Sequence, residues 1–219
     1  VMCGNGVRCA AEFLYTHGVR RDCIRIDTPS AGQRVLHRVG DGLWQVEMGR
    51  FMAAPDAVGA VGLGGGLLLD VPLCAGGRAW RVHCVAVGNP HCVLFTHEPP
   101  PAGAELAAWG RALGHHPAFP GGINVEFAQP ISPTGLAVTV WERGSGATLA
   151  CGTGACAVAA AAVLTGRCPR GAPILVQLPG GTLEVCVQRD DTVLLTGDAA
   201  ATFSGTVLIQ PCKAPRGVV

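Results

Sequence analysis

A chain of 219 residues with 49% hydrophobic and 14% charged residues can bury a real core and is not a disordered polymer. The formal net charge is +1 and the basic residues are scattered, which argues against a nucleic-acid or anionic-membrane surface. The longest apolar stretches, such as Ala155 to Leu164, fall well short of a bilayer span.

In chain order, the sequence opens on Val1-Met2-Cys3, inside a motif, and is expected to be a fragment or trimmed piece lacking part of an N-terminal domain. Cys3-Gly4-Asn5-Gly6 runs into helix formers through Tyr15 and ends at Gly18, the pattern of a loop feeding a helix with a glycine near its C-cap. Ile24–Thr28, Gln33–Val39 and Leu43–Met48 alternate or run apolar between turn residues and read as strands. Ala53 to Pro72 is Gly/Pro-rich and reads as a divider between halves, with Gly62 to Gly66 a loop that lacks the G-K-[ST] ending of a phosphate-binding loop. Arg81–Val87 and Cys92–Thr96 read as strands, Glu105–Leu113 as a surface helix, and Asn124–Phe127 and Leu136–Trp141 as strands. Cys151-Gly152-Thr153-Gly154 then repeats the opening pattern, feeding a second helix that ends at Gly166. Ile174–Leu178, Thr182–Gln188, Val193–Thr196 and Thr206–Ile209 complete the predicted strands.

Eleven cysteines, an odd number with no C-x-x-C pair, fit neither a complete disulfide framework nor a structural zinc site. Cys23, Cys74, Cys84 and Cys186 sit among apolar or β-branched neighbours and are expected to be small buried hydrophobes in a reducing cytoplasm. Cys9 and Cys156, inside the helices, are expected to pack in the core. His115-His116 has no third ligand at sensible spacing and reads as loop, so no metal is expected. The only lysine is Lys213, among Pro211, Cys212 and Pro215, a poor place for the Schiff base that pyridoxal phosphate requires.

A cysteine just before a helix lies in the positive field of the helix N-terminus, which lowers a thiol pKa. The free N–H groups there bind carboxylates, and glycines let a ligand approach the backbone. Two such sites suggest two thiols facing each other across one carbon. One would remove an α-proton while the other delivers one to the opposite face, with the α-carboxylate held by both helix ends. Two tight turns with buried cysteines explain the repeat alone equally well.

The surrounding strings decide between these. Met2-Cys3-Gly4-Asn5-Gly6-Val7-Arg8-Cys9, Gly88-Asn89-Pro90-His91-Cys92, Gly122-Ile123-Asn124-Val125-Glu126-Phe127, the run Trp141-Glu142-Arg143-Gly144 through Cys151-Gly152-Thr153-Gly154, and Leu178-Pro179-Gly180-Gly181 resemble the diaminopimelate epimerase family in order and approximate spacing. The resemblance implies an α/β fold of two pseudo-symmetric domains, each a curled, mostly antiparallel sheet around a central helix. Residues 1–51 with 205–219 would be the remainder of the first domain and 52–204 the second. It implies a cytoplasmic, cofactor-independent isomerase that interconverts LL- and meso-diaminopimelate for lysine and peptidoglycan precursors. Cys3 and Cys151 would be the acid/base thiols, with His91 and Glu142 beside them. Asn89, Asn124 and Arg143 would hold the distal end of the substrate, and Gly4, Asn5, Gly152 and Thr153 the reacting carboxylate.

Taken singly, Asn89 is a turn residue before proline, His91 a structural histidine, and Glu142 and Arg143 an exposed strand end. Partners are expected to be a small-molecule amino acid, with no nucleic acid and no membrane; a homodimer is left open. Two other readings stand beside the epimerase: a truncated, inactive relative or interaction module, and a proline-racemase-like enzyme of the same fold. Oxidation to a Cys3–Cys151 disulfide, detectable by peptide mapping, would silence the site.

Overall fold

The computed structural model describes residues 3–29 and 32–208. Four helices and twelve strands follow in the order α1 (Gly4–Thr16), β1 (Cys23–Thr28), β2 (Gly32–Gly40), β3 (Leu43–Arg50), α2 (Pro55–Val58), β4 (Val71–Ala75), β5 (Arg78–Ala86), β6 (Pro90–Phe95), α3 (Gly103–Gly114), β7 (Asn124–Ser132), β8 (Gly135–Glu142), β9 (Gly146–Thr148), α4 (Gly152–Leu164), β10 (Pro173–Leu178), β11 (Gly181–Val187) and β12 (Thr192–Asp198). The strands form one mixed sheet in the order β1-β2-β3-β12-β11-β10-β8-β7-β6-β5-β4, with β9 paired to β8. Only β6–β7 and β8–β10 are parallel. The expected α/β class, a large sheet with few helices, is the one observed.

The sequence of each helix explains how it is covered. α4 is mostly alanine, glycine and valine, apolar all round, and every residue from Gly152 to Ala162 is buried. Such a helix is stable only when wrapped, and the alanines let the sheet backbone approach closely. α1 buries Gly4, Val7, Arg8 and Ala11, the stripe of an amphipathic helix with one face on the sheet. Glycines with positive φ follow both helices, Gly18 at +107° and Gly166 at +70°.

The strands β5 to β8 are sandwiched. Their inner face packs on α4 through Val85, Val93, Val138 and Val140, and their outer face packs on α2 and α3 through Val82, Cys84, Leu94 and Phe127. That is why Val82 to Val87 is an unbroken buried run, whereas β10, covered on one face, alternates exposed and buried.

α3 docks on β8 through a notch: a Cβ added at Gly110 would lie 2.4–2.8 Å from Trp141 side-chain atoms. Gly110→Ala gains about 0.5–1 kcal/mol of helix preference but overpacks by about 1–3 kcal/mol. A net loss is expected, read as a melting temperature lower by about 2–8 °C for a chain of this size.

His83 is buried and accepts the Asp70 backbone N–H at Nδ1, 3.1 Å away. Burial, with Arg167 nearby, lowers its pKa from 6.5 to about 4. The unfolded chain therefore takes up a proton that the folded chain refuses. Stability present above pH 6.5 is lost as pH falls towards 4, by on the order of 1–3 kcal/mol. Melting curves of His83→Gln are expected to lose part of this acid sensitivity between pH 7 and 4.5.

Several expectations are corrected. Thr206 to Leu208 form no strand: residues 201–208 are exposed and unpaired with the sheet, and a β-branched run without a partner strand gains nothing from its propensity. Ile209 and Lys213 lie outside the described residues. Cys9, Cys23 and Cys74 are exposed and Cys186 is half-buried, whereas Cys84 and Cys156 are buried as expected. Cys9 falls on the outer side of α1, and Cys23 and Cys74 occupy exposed positions on the edge strands β1 and β4. β4, β9 and α2 were not foreseen, being short segments in Gly/Pro-rich sequence.

Candidate active site

Cys3 and Cys151 occupy equivalent positions. Each is the N-cap of a 13-residue helix, in extended backbone conformation, φ −122° and −136° respectively. Each sulfur accepts the N–H three residues on, from Gly6 at 3.3 Å and from Gly154 at 3.4 Å. This is the Ser/Thr capping arrangement with sulfur in place of oxygen. The next N–H groups, of Gly4 and Asn5 and of Gly152 and Thr153, have no partner within the helix.

The two helix ends meet. A Cβ at Gly152 would lie 3.5 Å from Gly4 Cα and 3.2 Å from Leu195 Cδ2, and one at Gly4 would lie 3.0 Å from the same Leu195 atom. β12 thus runs beneath both N-termini, and a side chain at either position would crowd Leu195. Asn5 Oδ1 accepts from Arg8 Nη2 at 3.1 Å, and the Arg8 side chain, buried against Gly197, also reaches the Asp198 carbonyl from Nε at 3.4 Å.

Strand alternation brings the other side chains to Cys151. On β7, Asn124 and Glu126 face α4 while Val125 and Phe127 face the outer core. His91 stands opposite Asn124 on the adjacent β6, and Glu142 follows Val140 on the same face of β8. His91 and Glu126 are both fully buried, with Nδ1 and Oε1 2.6 Å apart, and His91 Nε2 lies 3.0 Å from Asn89 Oδ1. Glu142 Oε1 accepts from Thr148 Oγ1 at 2.7 Å, so the short β9 hairpin orients it. Asn124 Oδ1 accepts the Arg143 backbone N–H at 2.8 Å, while the exposed Arg143 guanidinium donates to the carbonyls of Gly121 and Gly122.

The structure reverses one expectation. A helix N-terminus was expected to lower the thiol pKa, but burial pushes Cys151 up to about 12, with the Glu126 carboxyl adding to the shift. Hydrogen bonds from Thr153 Oγ1 and Gly154 N oppose it. Burial of this degree moves a group by several units, whereas a helix end contributes about 0.3–2 kcal/mol. At neutral pH Cys151 is therefore a thiol.

Of the predicted residues, the structure groups Asn89, His91, Asn124, Glu142, Cys151, Gly152 and Thr153 at one end of α4, and Cys3, Gly4 and Asn5 where α1 meets it. Arg143 turns its side chain to the surface. Sequence reasoning missed Glu126. Its signal was a lone acidic residue two positions after Asn124 in an otherwise apolar strand, which puts both on one face. Among the described residues no group of three or more His, Cys, Asp or Glu is placed to hold a metal ion, and no helix is long and apolar enough to cross a membrane.

This paired-helix, sheet-wrapped architecture is shared with the crystal structure of a probable proline racemase from Agrobacterium radiobacter K84, at a TM-score of 0.68, 16% identity, and coverage of 96% of this chain and 69% of that one. At that identity the likeness concerns the fold alone. The family model for diaminopimelate epimerase matches residues 83–202, the segment carrying His91, Glu142 and Cys151. A diaminopimelate epimerase from Synechococcus sp. (strain JA-2-3B'a(2-13)) is 47% identical over 211 residues, 94% of this chain and 73% of that protein. Another, from Synechococcus elongatus, is 43% identical over 208 residues, 94% of this chain and 72% of that protein. The chain belongs to the diaminopimelate epimerase family.

Proposed function

We propose that the chain interconverts LL- and meso-diaminopimelate by moving the α-proton between Cys3 and Cys151, with no organic cofactor or metal. The observation that carries this is the meeting of two cysteine-capped helix ends at Gly4 and Gly152. A substrate α-carboxylate there can accept from the N–H groups of Gly4, Asn5, Gly152 and Thr153, and both helix dipoles favour the charge that develops on it as the α-proton leaves. In one direction the Cys3 thiolate is the base and the buried Cys151 thiol the acid; for the other isomer the roles exchange. His91 and Glu142 stand beside the thiols and help set their protonation, and Asn89, Asn124 and Arg143 hold the distal amino-acid end. The two halves, divided near Met52, contribute one thiol each, Cys3 at the start of α1 and Cys151 at the start of α4.

Incubation of the reduced chain with LL-diaminopimelate in D₂O, followed by NMR, is expected to show deuterium entering the α-carbon as the meso isomer forms. Exchange with proline but not diaminopimelate would transfer the reading to a proline-type racemase. Exchange with neither would overturn it.

A further inference from the structure

Glu126 has no place in the proton transfer above, yet it is the charged side chain most deeply set against Cys151. It is fully buried, and its Oε2 has no hydrogen-bond partner. Oε1 lies 2.6 Å from His91 Nδ1. The other ring nitrogen, Nε2, lies 3.0 Å from Asn89 Oδ1, so the ring is held from both sides.

The pair is in contact with the first turn of α4. A Cβ at Gly154 would fall 2.7 Å from Glu126 Oε1 and 3.3 Å from Cys151 Cβ, and the Gly154 N–H is the one that caps the Cys151 sulfur. The titratable groups facing Glu126 are His91 from β6, Glu142 from β8 and Cys151 from α4; Cys92, on the opposite face of β6, also feels its charge. Cys151 in turn faces Glu126 and Glu142, with Cys156 one turn below it and Arg8 of α1 beyond that.

We propose that Glu126 is a positioning residue of this site: its carboxyl group clamps the His91 ring and, from beneath the first turn of α4, controls how readily the Cys151 thiol gives up its proton. The inference rests on the two-cysteine reading only for its consequence in catalysis. The packing of Glu126 against the first turn of α4 exists whatever the substrate. Burial first, and then the charge of Glu126, hold Cys151 in the thiol form. Removing that charge while keeping the side-chain shape isolates the second contribution.

The experiment is alkylation of the full chain and of Glu126→Gln with iodoacetamide across a pH series, with the peptides bearing Cys3, Cys151 and Cys156 quantified by mass spectrometry. The amide still occupies the site and still hydrogen-bonds the ring. A fall of about one unit in the Cys151 midpoint is expected. At fixed pH below that midpoint this is about a threefold faster alkylation, because tenfold more thiolate is offset by a weaker nucleophile. Cys3 should be unchanged. An unchanged Cys151 rate, or a rise matched at the fully buried Cys156, would overturn the proposal, the latter because it reports opening of the core.

If Glu126→Gln fails to fold, ¹⁵N-histidine NMR of the unaltered chain decides. A strongly downfield, slowly exchanging proton between His91 Nδ1 and Glu126 is expected, and its absence overturns the proposal. Neither readout uses substrate. A chain that shows the shift but exchanges no deuterium would retain the role of Glu126 and lose only the assigned reaction.

Discussion

Cys3→Ala and Cys151→Ala are each expected to slow α-deuterium exchange by about 10²–10⁴-fold, the contribution of a positioned acid or base. The double variant should be little slower than the slower single one, because two groups acting in one proton transfer are not additive. Alanine also removes the helix cap, which costs about 0.5–2 kcal/mol. Serine separates the two effects: its hydroxyl is a better cap than sulfur, so Cys3→Ser and Cys151→Ser should melt close to the parent. It is a far weaker acid and base at neutral pH, so exchange should still collapse. Full activity in either serine variant would remove that cysteine from the chemistry.

Gly154→Ala should be nearly as damaging, and by a different route. The new methyl would sit 2.7 Å from Glu126 Oε1. That carboxyl is fully buried and bonded to an equally buried His91, so it has nowhere to retreat. Alanine favours a helix by about 0.5–1 kcal/mol, whereas overpacking against a group that cannot move costs about 1–3 kcal/mol. A net loss of roughly 1–2 kcal/mol is expected, a melting temperature lower by about 2–8 °C, with loss of exchange. Gly6→Ala is the internal control. Gly6 holds the same place in α1, but its added Cβ would meet only Cys3, at 3.4 Å from Sγ and 3.6 Å from Cβ, which is ordinary contact. That variant should keep its stability. Equal damage at both positions would mean that the glycine, and not the carboxyl beneath it, is what α4 requires there.

Local pattern was enough to place most elements and the two cysteine caps. A C-G-x-G string followed by helix formers and a terminal glycine specifies a helix start and stop from adjacent residues alone, and both helices formed where that rule put them. Period-two alternation likewise fixed β1 to β3 and β10 to β12, with boundaries moved by one or two residues. The strand at Thr206 failed because β-branched residues favour a pleated surface only when a neighbour supplies one. Cys9 and Cys23 failed for a related reason: their neighbours were apolar, but the faces on which they fell were not covered.

The sequence by itself determined that two thiols cap two helices beside glycines, because capping and helix propensity are properties of neighbouring residues. Only the tertiary structure decided that Gly4 and Gly152 touch over Leu195, that Glu126 lies beneath Cys151, and that this thiol is held protonated. Those facts join residues far apart in the chain or depend on burial, and desolvation is set by what surrounds a group in space and not by what precedes it in the chain.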